Sequence, residues 1–174
     1  MPSRTRAQER LRYSNTLAAR PVRNGHGIVA LKPFKAGALI CTVRGRIVSA
    51  ATVWRYWNSD PRRGANCFRY DADRYLDPEG EIGAYANHSC NPNARAVKTP
   101  ARLLLRAIRP IAASEEVTHD YSTLLGADDV WTMQCNCGSR RCRGIVRNVA
   151  KLPERVRSRY LKLGCIPQFI LHTI

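Results

Sequence analysis

VWTMQCNCGSRRCRG, residues 130–144, sets three cysteines, Cys135, Cys137 and Cys142, within eight positions, with Gly138 and Gly144 beside them. A structural zinc takes four tetrahedral ligands and favours thiolates, and a C-x-C-x4-C string supplies only three. The fourth has to come from elsewhere, from another cysteine or a histidine. Cys41 and Cys165 sit among apolar neighbours and read as core, and Cys67 reads the same way. Cys90 differs, because YANHSCNPNA (85–94) surrounds it with polar, turn-forming residues.

Seven cysteines make an odd count, and the basic start MPSRTRAQERLRYSN lacks the apolar stretch of a secretory signal. Metal-bound thiolates in a reducing, intracellular compartment fit better than a disulfide framework. No segment approaches the roughly 20 apolar residues of a membrane span. With 174 residues and 44% hydrophobic content, the chain suits one globular domain that buries its own core, so metal would shape a part of it.

The formal charge is +16. Residues 1–23 carry six arginines against Glu9, and residues 140–162 carry nine basic residues against Glu154, so the charge lies mainly at the two ends. Such ends suit nucleic acid or another anionic surface, and equally a solvated basic face.

TRAQERLRY (5–13) reads as helix within a basic arm over residues 1–20. From Val22 to Val43 short β-branched runs alternate with glycine turns, giving strand, turn, strand and a further turn at Lys35-Ala36-Gly37. SAATVWRYWNSDP (49–61) predicts a helix with Ser49 as N-cap, ending before Pro61. ARLLLRAIRPIAASEEVTHDYS (101–122) gives two strands about a Pro/Ala/Ser turn, and LPERVRSRYLKLG (152–164) a helix starting near Pro153 and stopping at Gly164. The sum is a mostly β fold with short helices.

NHSCNPNA (87–94), EEVTHDY (115–121) and CNCGSRRCRG (135–144), in this order and spacing, resemble the SET-domain protein lysine methyltransferases with a post-SET zinc motif. NGHGIVALKPFKAGALI (24–40) is similar to that family's opening Gly-x-Gly segment. The resemblance implies an α+β fold of small curved sheets with a pseudoknot-like active site. It divides the chain into a basic arm (1–20), a SET domain (21–128), a zinc-binding post-SET segment (129–146) and a basic C-terminal helix and tail (147–174). It places one structural zinc on Cys90, Cys135, Cys137 and Cys142. It implies S-adenosylmethionine as methyl donor, with Gly25, His26 and Gly27 at its methionine portion and Asn87 and His88 at its amino end and adenine. Tyr121, which also borders the cofactor, and His119 would form the catalytic wall.

The chemistry implied has a definite physical demand. A lysine side chain, pKa about 10.4, is almost wholly ammonium at neutral pH and has to be made neutral before it can attack a methyl group. A narrow dry channel and a nearby cation both push that pKa down. A tyrosine hydroxyl and backbone carbonyls then orient the amine. If THDY is a strand, period two puts Val117, His119 and Tyr121 on one face and Thr118 and Asp120 on the other.

Departures from the family pattern bear on detail. His119 stands where the family usually has Tyr or Phe; it either holds a water that limits methylation to low order or serves as a structural residue. VRGR (43–46) replaces the usual Tyr-x-Gly-Glu, and Ala84-Tyr85 the usual Arg-Phe, leaving Tyr56, Tyr70 and Tyr85 as candidates to restore a channel tyrosine. Acidic residues cluster at Asp71, Asp73, Asp77, Glu79 and Glu81 and again at Glu115, Glu116, Asp120, Asp128 and Asp129, either to attract a basic, lysine-bearing, histone-like or nucleic-acid-associated protein or to balance nearby arginines. Two rival readings are a zinc-stabilised nucleic-acid-binding protein and a catalytically weak SET-like peptide-binding module.

Overall fold

Short apolar runs separated by glycine turns make hairpins, and the first one sets the frame. β1 (Leu17–Val22) and β2 (Gly25–Ala30) pair antiparallel with Val22 opposite Gly25, so the connection is the two residues Arg23 and Asn24. Gly25 follows that turn at φ 79°, a left-handed conformation glycine adopts freely. The structure, a computed structural model, describes residues 14–174; the helix expected over residues 5–13 lies outside them. Leu17 already belongs to β1, so the strand takes the last part of the stretch read as a basic arm.

Three further small sheets follow. β3 (Leu39–Val43), β7 (Ala94–Lys98) and β8 (Leu103–Ala107) form one with β8 in the middle. β4 (Arg46–Ser49), β5 (Phe68–Arg69) and β6 (Arg74–Asp77) form another with β6 in the middle. β9 (Glu116–Val117) adds to the free edge of β2, and β10 (Met133–Gln134) pairs with β11 (Ile145–Val146) to close off the cysteine-rich loop. β8 and β9 flank the expected Pro/Ala/Ser turn yet join different sheets, which carries the chain from one layer to the next. Ser114, at φ 69°, makes the turn that feeds β9.

The helices are short. α1 (Ala50–Ser59) starts where the sequence places it, with the Thr52 amide donating to the Ser49 hydroxyl. α2 (Pro61–Asn66) was not read from the sequence; Pro61 opens it and the Asp60 side chain caps it. α3 (Glu154–Lys162) ends at Leu163 with Gly164 in the left-handed region at φ 60°, and α4 (Gln168–Leu171) follows. No helix among the described residues is long and apolar enough to cross a membrane.

The main core lies between the sheets. On β8 the side chains alternate, Leu103, Leu105 and Ala107 inward, and each of the two leucines contributes about 1.5 to 3 kcal/mol by its burial. Cys41 belongs to this core. A second core, built from Val149, Leu152, Tyr160, Cys165, Ile166 and Ile170, packs the C-terminal helices against the domain. Cys67 is half-buried, its thiol donating to the Arg63 carbonyl at 3.4 Å.

Candidate active site

Two segments distant in sequence lie side by side in parallel. The His119 amide donates to the Asn87 carbonyl (3.1 Å) and the Ser89 amide to the His119 carbonyl (3.0 Å), a bridge between His88 and His119. This brings together Asn87, His88, His119 and Tyr121. The regular strand stops at Val117, and Asp120 caps a 3-10 turn over Tyr121–Leu124 through the Ser122 amide. The strand therefore ends before Asp120, whose side chain lies buried. His119 and Tyr121 are still neighbours, their rings 4.9 Å apart.

Tyr121 and His119 line a cavity of about 100 Å³ whose other walls include Trp57, Phe68, Tyr75 and Trp131. The Tyr121 hydroxyl donates to the Ala86 carbonyl at 2.9 Å, and burial pushes its phenol well above the ordinary range, so it stays protonated. His119 stacks on Phe68 at 5.5 Å, and neither ring nitrogen has a protein partner. Burial lowers its pKa to about 4, which makes it a neutral imidazole at physiological pH. None of the tyrosines suggested as replacements lines this cavity. Tyr56 donates to Asp77, Tyr70 lies under the Lys98 ammonium, and the Tyr85 ring meets that of His26 edge-on at 6.3 Å. The aromatic wall is Trp57 from α1, Phe68 from β5, Tyr75 from β6 and Trp131 ahead of the cysteines; reading the sequence alone missed all four.

An open groove of about 620 Å³ runs past Arg23, Asn24, His88, Ser89, Glu116 and the 138–141 loop. The Asn87 amide donates to the His26 carbonyl (3.0 Å) and to Glu116 (2.8 Å), one of the residues lining the groove. Gly27 is required here by space: a Cβ would come 2.4 Å from Glu116 Oε1 and 2.8 Å from Val22. His26, Gly27 and Asn87 are thus brought together, with Gly25 next to His26 at the start of β2. The His88 ring is turned inward, where Nδ1 accepts from the Tyr121 amide at 3.2 Å and Nε2 lies 3.3 Å from Cys90 Sγ.

The sulfurs of Cys90, Cys135, Cys137 and Cys142 all lie within 4.8 Å of one another. Cys90 and Cys135 are 3.8 Å apart, the edge of a tetrahedron with arms of about 2.3 Å, the zinc–thiolate length. The Arg143 amide donates to Cys90 and the Gly144 amide to Cys142, as donors around a thiolate–metal centre do. The donor set fits zinc with all four positions filled by protein, a structural site. Arg23 ties the first hairpin to this loop by donating to the Asn136 carbonyl at 3.0 Å.

The acidic clusters are largely engaged by arginines. Asp77 pairs with Arg63 (2.7 Å), Asp128 and Asp129 with Arg69 (2.8 and 2.7 Å), and Glu115 with Arg109 (2.7 Å). The Arg69 side chain is only 7% exposed, and with its partners it anchors the segment that leads to Trp131.

Comparison with known proteins accounts for this geometry. The SET domain family matches residues 25–122. A histone-lysine N-methyltransferase, H3 lysine-4 specific, of Cryptococcus neoformans is 30% identical over 146 residues, covering 79% of this chain and 10% of its own length. Histone-lysine N-methyltransferase ATX2 of Arabidopsis thaliana is 32% identical over 135 residues, covering 72% of this chain and 12% of its own. The chain thus spans about a tenth of the length of these curated relatives. The crystal structure of the methyltransferase domain of human histone-lysine N-methyltransferase SETMAR superposes with a TM-score of 0.59 at 24% identity, covering 73% of this chain and 55% of that one. A parallel crossing of Asn87–Ser89 with His119, a cysteine cluster closed by Cys90 and a family match over residues 25–122 have one explanation: the chain belongs to the SET-domain family.

Proposed function

We propose that this chain is an S-adenosylmethionine-dependent protein-lysine N-methyltransferase acting on a basic, histone-like or nucleic-acid-associated protein in a reducing intracellular compartment. The observation that carries the reading is the Tyr121 hydroxyl, held on the Ala86 carbonyl inside a small aromatic cavity. A hydroxyl and a carbonyl in that relation can orient a neutral amine, and the low polarity around them disfavours the ammonium form. Trp57, Phe68, Tyr75 and Trp131 would flank the aliphatic stem of the lysine and exclude water. Gly25, His26 and Gly27 would cradle the methionine portion of the cofactor, with Asn87 and His88 at its amino end and adenine. The cofactor, when bound, supplies a methyl group on a cationic sulfur. Cys90, Cys135, Cys137 and Cys142 would hold a structural zinc that fixes the loop bordering the cofactor groove.

His119 would act on methylation order. A neutral imidazole with free nitrogens beside Tyr121 can hold a water in the volume that a more highly methylated amine needs, which favours mono- or dimethylation. Mass spectrometry of the product peptide tests this, and efficient trimethylation overturns it.

A nucleic-acid contact through the basic C-terminal region is a second element. Arg155, Ser158, Arg159 and Lys162 line one groove along α3, which puts three cations on one face of the helix. Salt-sensitive retention on DNA, lost when the three cations are changed to Gln, supports it; no retention at low salt removes it.

The decisive test of the activity is methyl transfer from labelled cofactor to histone and lysate proteins, with Tyr121→Phe as control. That variant should lose about 100-fold or more in rate, the usual scale for a positioned hydroxyl in such a site. Full activity in the variant, or no cofactor binding by calorimetry in the parent, overturns the reading.

A further inference from the structure

Asp120 is the point at which four parts of the chain meet, and its side chain has no solvent exposure. One oxygen accepts from the Ser122 amide (3.1 Å) and from Arg143 Nη2 (2.8 Å). The other accepts from the Tyr160 hydroxyl (2.7 Å) and pairs with Arg143 Nη1 (2.8 Å). His88 Nδ1 stands 3.5 Å away. The four parts are the 3-10 turn bearing Tyr121, the Asn87–Cys90 segment, the cysteine loop and the C-terminal helix α3.

Resting on the methyltransferase reading, we propose that Tyr160 is a positioning residue for the active site, acting through Asp120 on the turn that carries Tyr121. The C-terminal region then belongs to the scaffold of the site and is more than a basic appendage. Tyr160 is fully buried among Val149, Leu152, Cys165, Ile166 and Ile170, an apolar setting that a phenylalanine would fill equally well. A hydroxyl is needed only at its tip, where it donates to a buried carboxylate, a charge-assisted bond about twice as strong as a neutral one. Without it that oxygen keeps Arg143 alone. The carboxylate is then drawn toward the guanidinium and away from the geometry in which its other oxygen caps Ser122. The turn that loses its cap is the one that sets Tyr121 against His88 and Ala86.

The same helix has an independent anchor. Arg95 on β7 donates to the carbonyls of Leu163 (2.7 Å) and Gly164 (2.5 Å) at the end of α3, where a cation also meets the negative end of the helix. Tyr160→Phe therefore removes one bond while packing and the Arg95 clamp keep the helix docked.

The test compares Tyr160→Phe and Arg95→Met in the full zinc-loaded chain. It reads methyl-transfer kinetics, amide hydrogen exchange and melting temperature. Tyr160→Phe should lower kcat about tenfold with peptide KM changed less than about twofold, the pattern of lost positioning rather than lost binding. Exchange at residues 121–123 should quicken while the β1–β2 hairpin stays protected. Arg95→Met should lower the melting temperature and leave kcat within about twofold. Unchanged exchange at 121–123 in Tyr160→Phe overturns the proposal, as does an equal kcat loss in Arg95→Met, which would mean that the helix acts through general stability. If the parent transfers no methyl group, the functional reading fails, and the exchange pattern still decides whether Tyr160 reaches the turn.

Discussion

Cys90→Ser isolates what the metal does for the fold. Cys135, Cys137 and Cys142 lie close in sequence, but Cys90 is 45 positions from Cys135, so it alone makes the cluster a long-range tether. Closing a loop of about 45 residues restricts the unfolded chain by about 4 kcal/mol on the chain-entropy estimate. The contacts of Arg143 with Asp120 and of Arg23 with Asn136 already hold the loop, which makes that figure an upper value. At this chain length each kcal/mol moves the melting temperature by about 2 to 4 °C, so the variant should melt up to about 8 to 16 °C lower. Scanning fluorimetry gives the melting temperature and atomic emission the zinc content, with Cys41→Ser, a core cysteine outside the cluster, as control. The parent treated with chelator should fall to the melting point of Cys90→Ser, and chelator should not lower the variant further. A parent grown in zinc that carries no stoichiometric metal, or a Cys90→Ser protein that keeps a full equivalent at unchanged stability, refutes the tether.

His119→Phe keeps the stack on Phe68 while removing both ring nitrogens, and urea unfolding across pH reads what the imidazole contributes to stability. His119 titrates near 4 folded and near 6.5 unfolded, so its neutral burial contributes fully above pH 6.5 and is lost as pH falls toward 4; His119→Phe should flatten stability over that window. Arg69→Met leaves the half-buried Asp129 without its partner and should cost about 3 kcal/mol in urea unfolding, whereas a change below about 0.5 kcal/mol would show that the cluster is not structural. Gly27→Ala drives a methyl into Glu116 and Asn87, and calorimetry should show cofactor affinity reduced at least about tenfold, since those groups shape the groove.

Much of this architecture was legible in the sequence. Ser49 and Gly164 mark helix ends because capping is local chemistry, and the alternation in LLLRA reports a strand with one buried face. Cys90 stood out because a thiol among Asn, His and Ser has no apolar company, and the fold brings its sulfur to the other three. The cavity wall was not legible. Trp57, Phe68, Tyr75 and Trp131 come from three separate elements and a loop and meet only through tertiary packing, which no short-range pattern encodes. The role of Asp120 was hidden for a related reason: its side chain caps the turn that follows the strand, and its partners Arg143 and Tyr160 lie 23 and 40 residues away. The acidic clusters read either as a lure for a basic substrate or as a balance for nearby arginines, and the fold pairs Asp77, Asp128, Asp129 and Glu115 with arginines that only tertiary packing brings to them.

The parallel bridge between His88 and His119 also governs how the molecule comes to exist. Its two strips are separated by β7 and β8, so the chain must close a loop of about 30 residues before either strip gains anything from the other, a step that slows folding. Fragments ending before Thr118 would hold Gly25 and Gly27 and still lack the crossing of Asn87–Ser89 with His119. Catalytic competence should therefore appear in refolding with the last kinetic phase, all at once, and truncated chains released during synthesis should be inert rather than partly active.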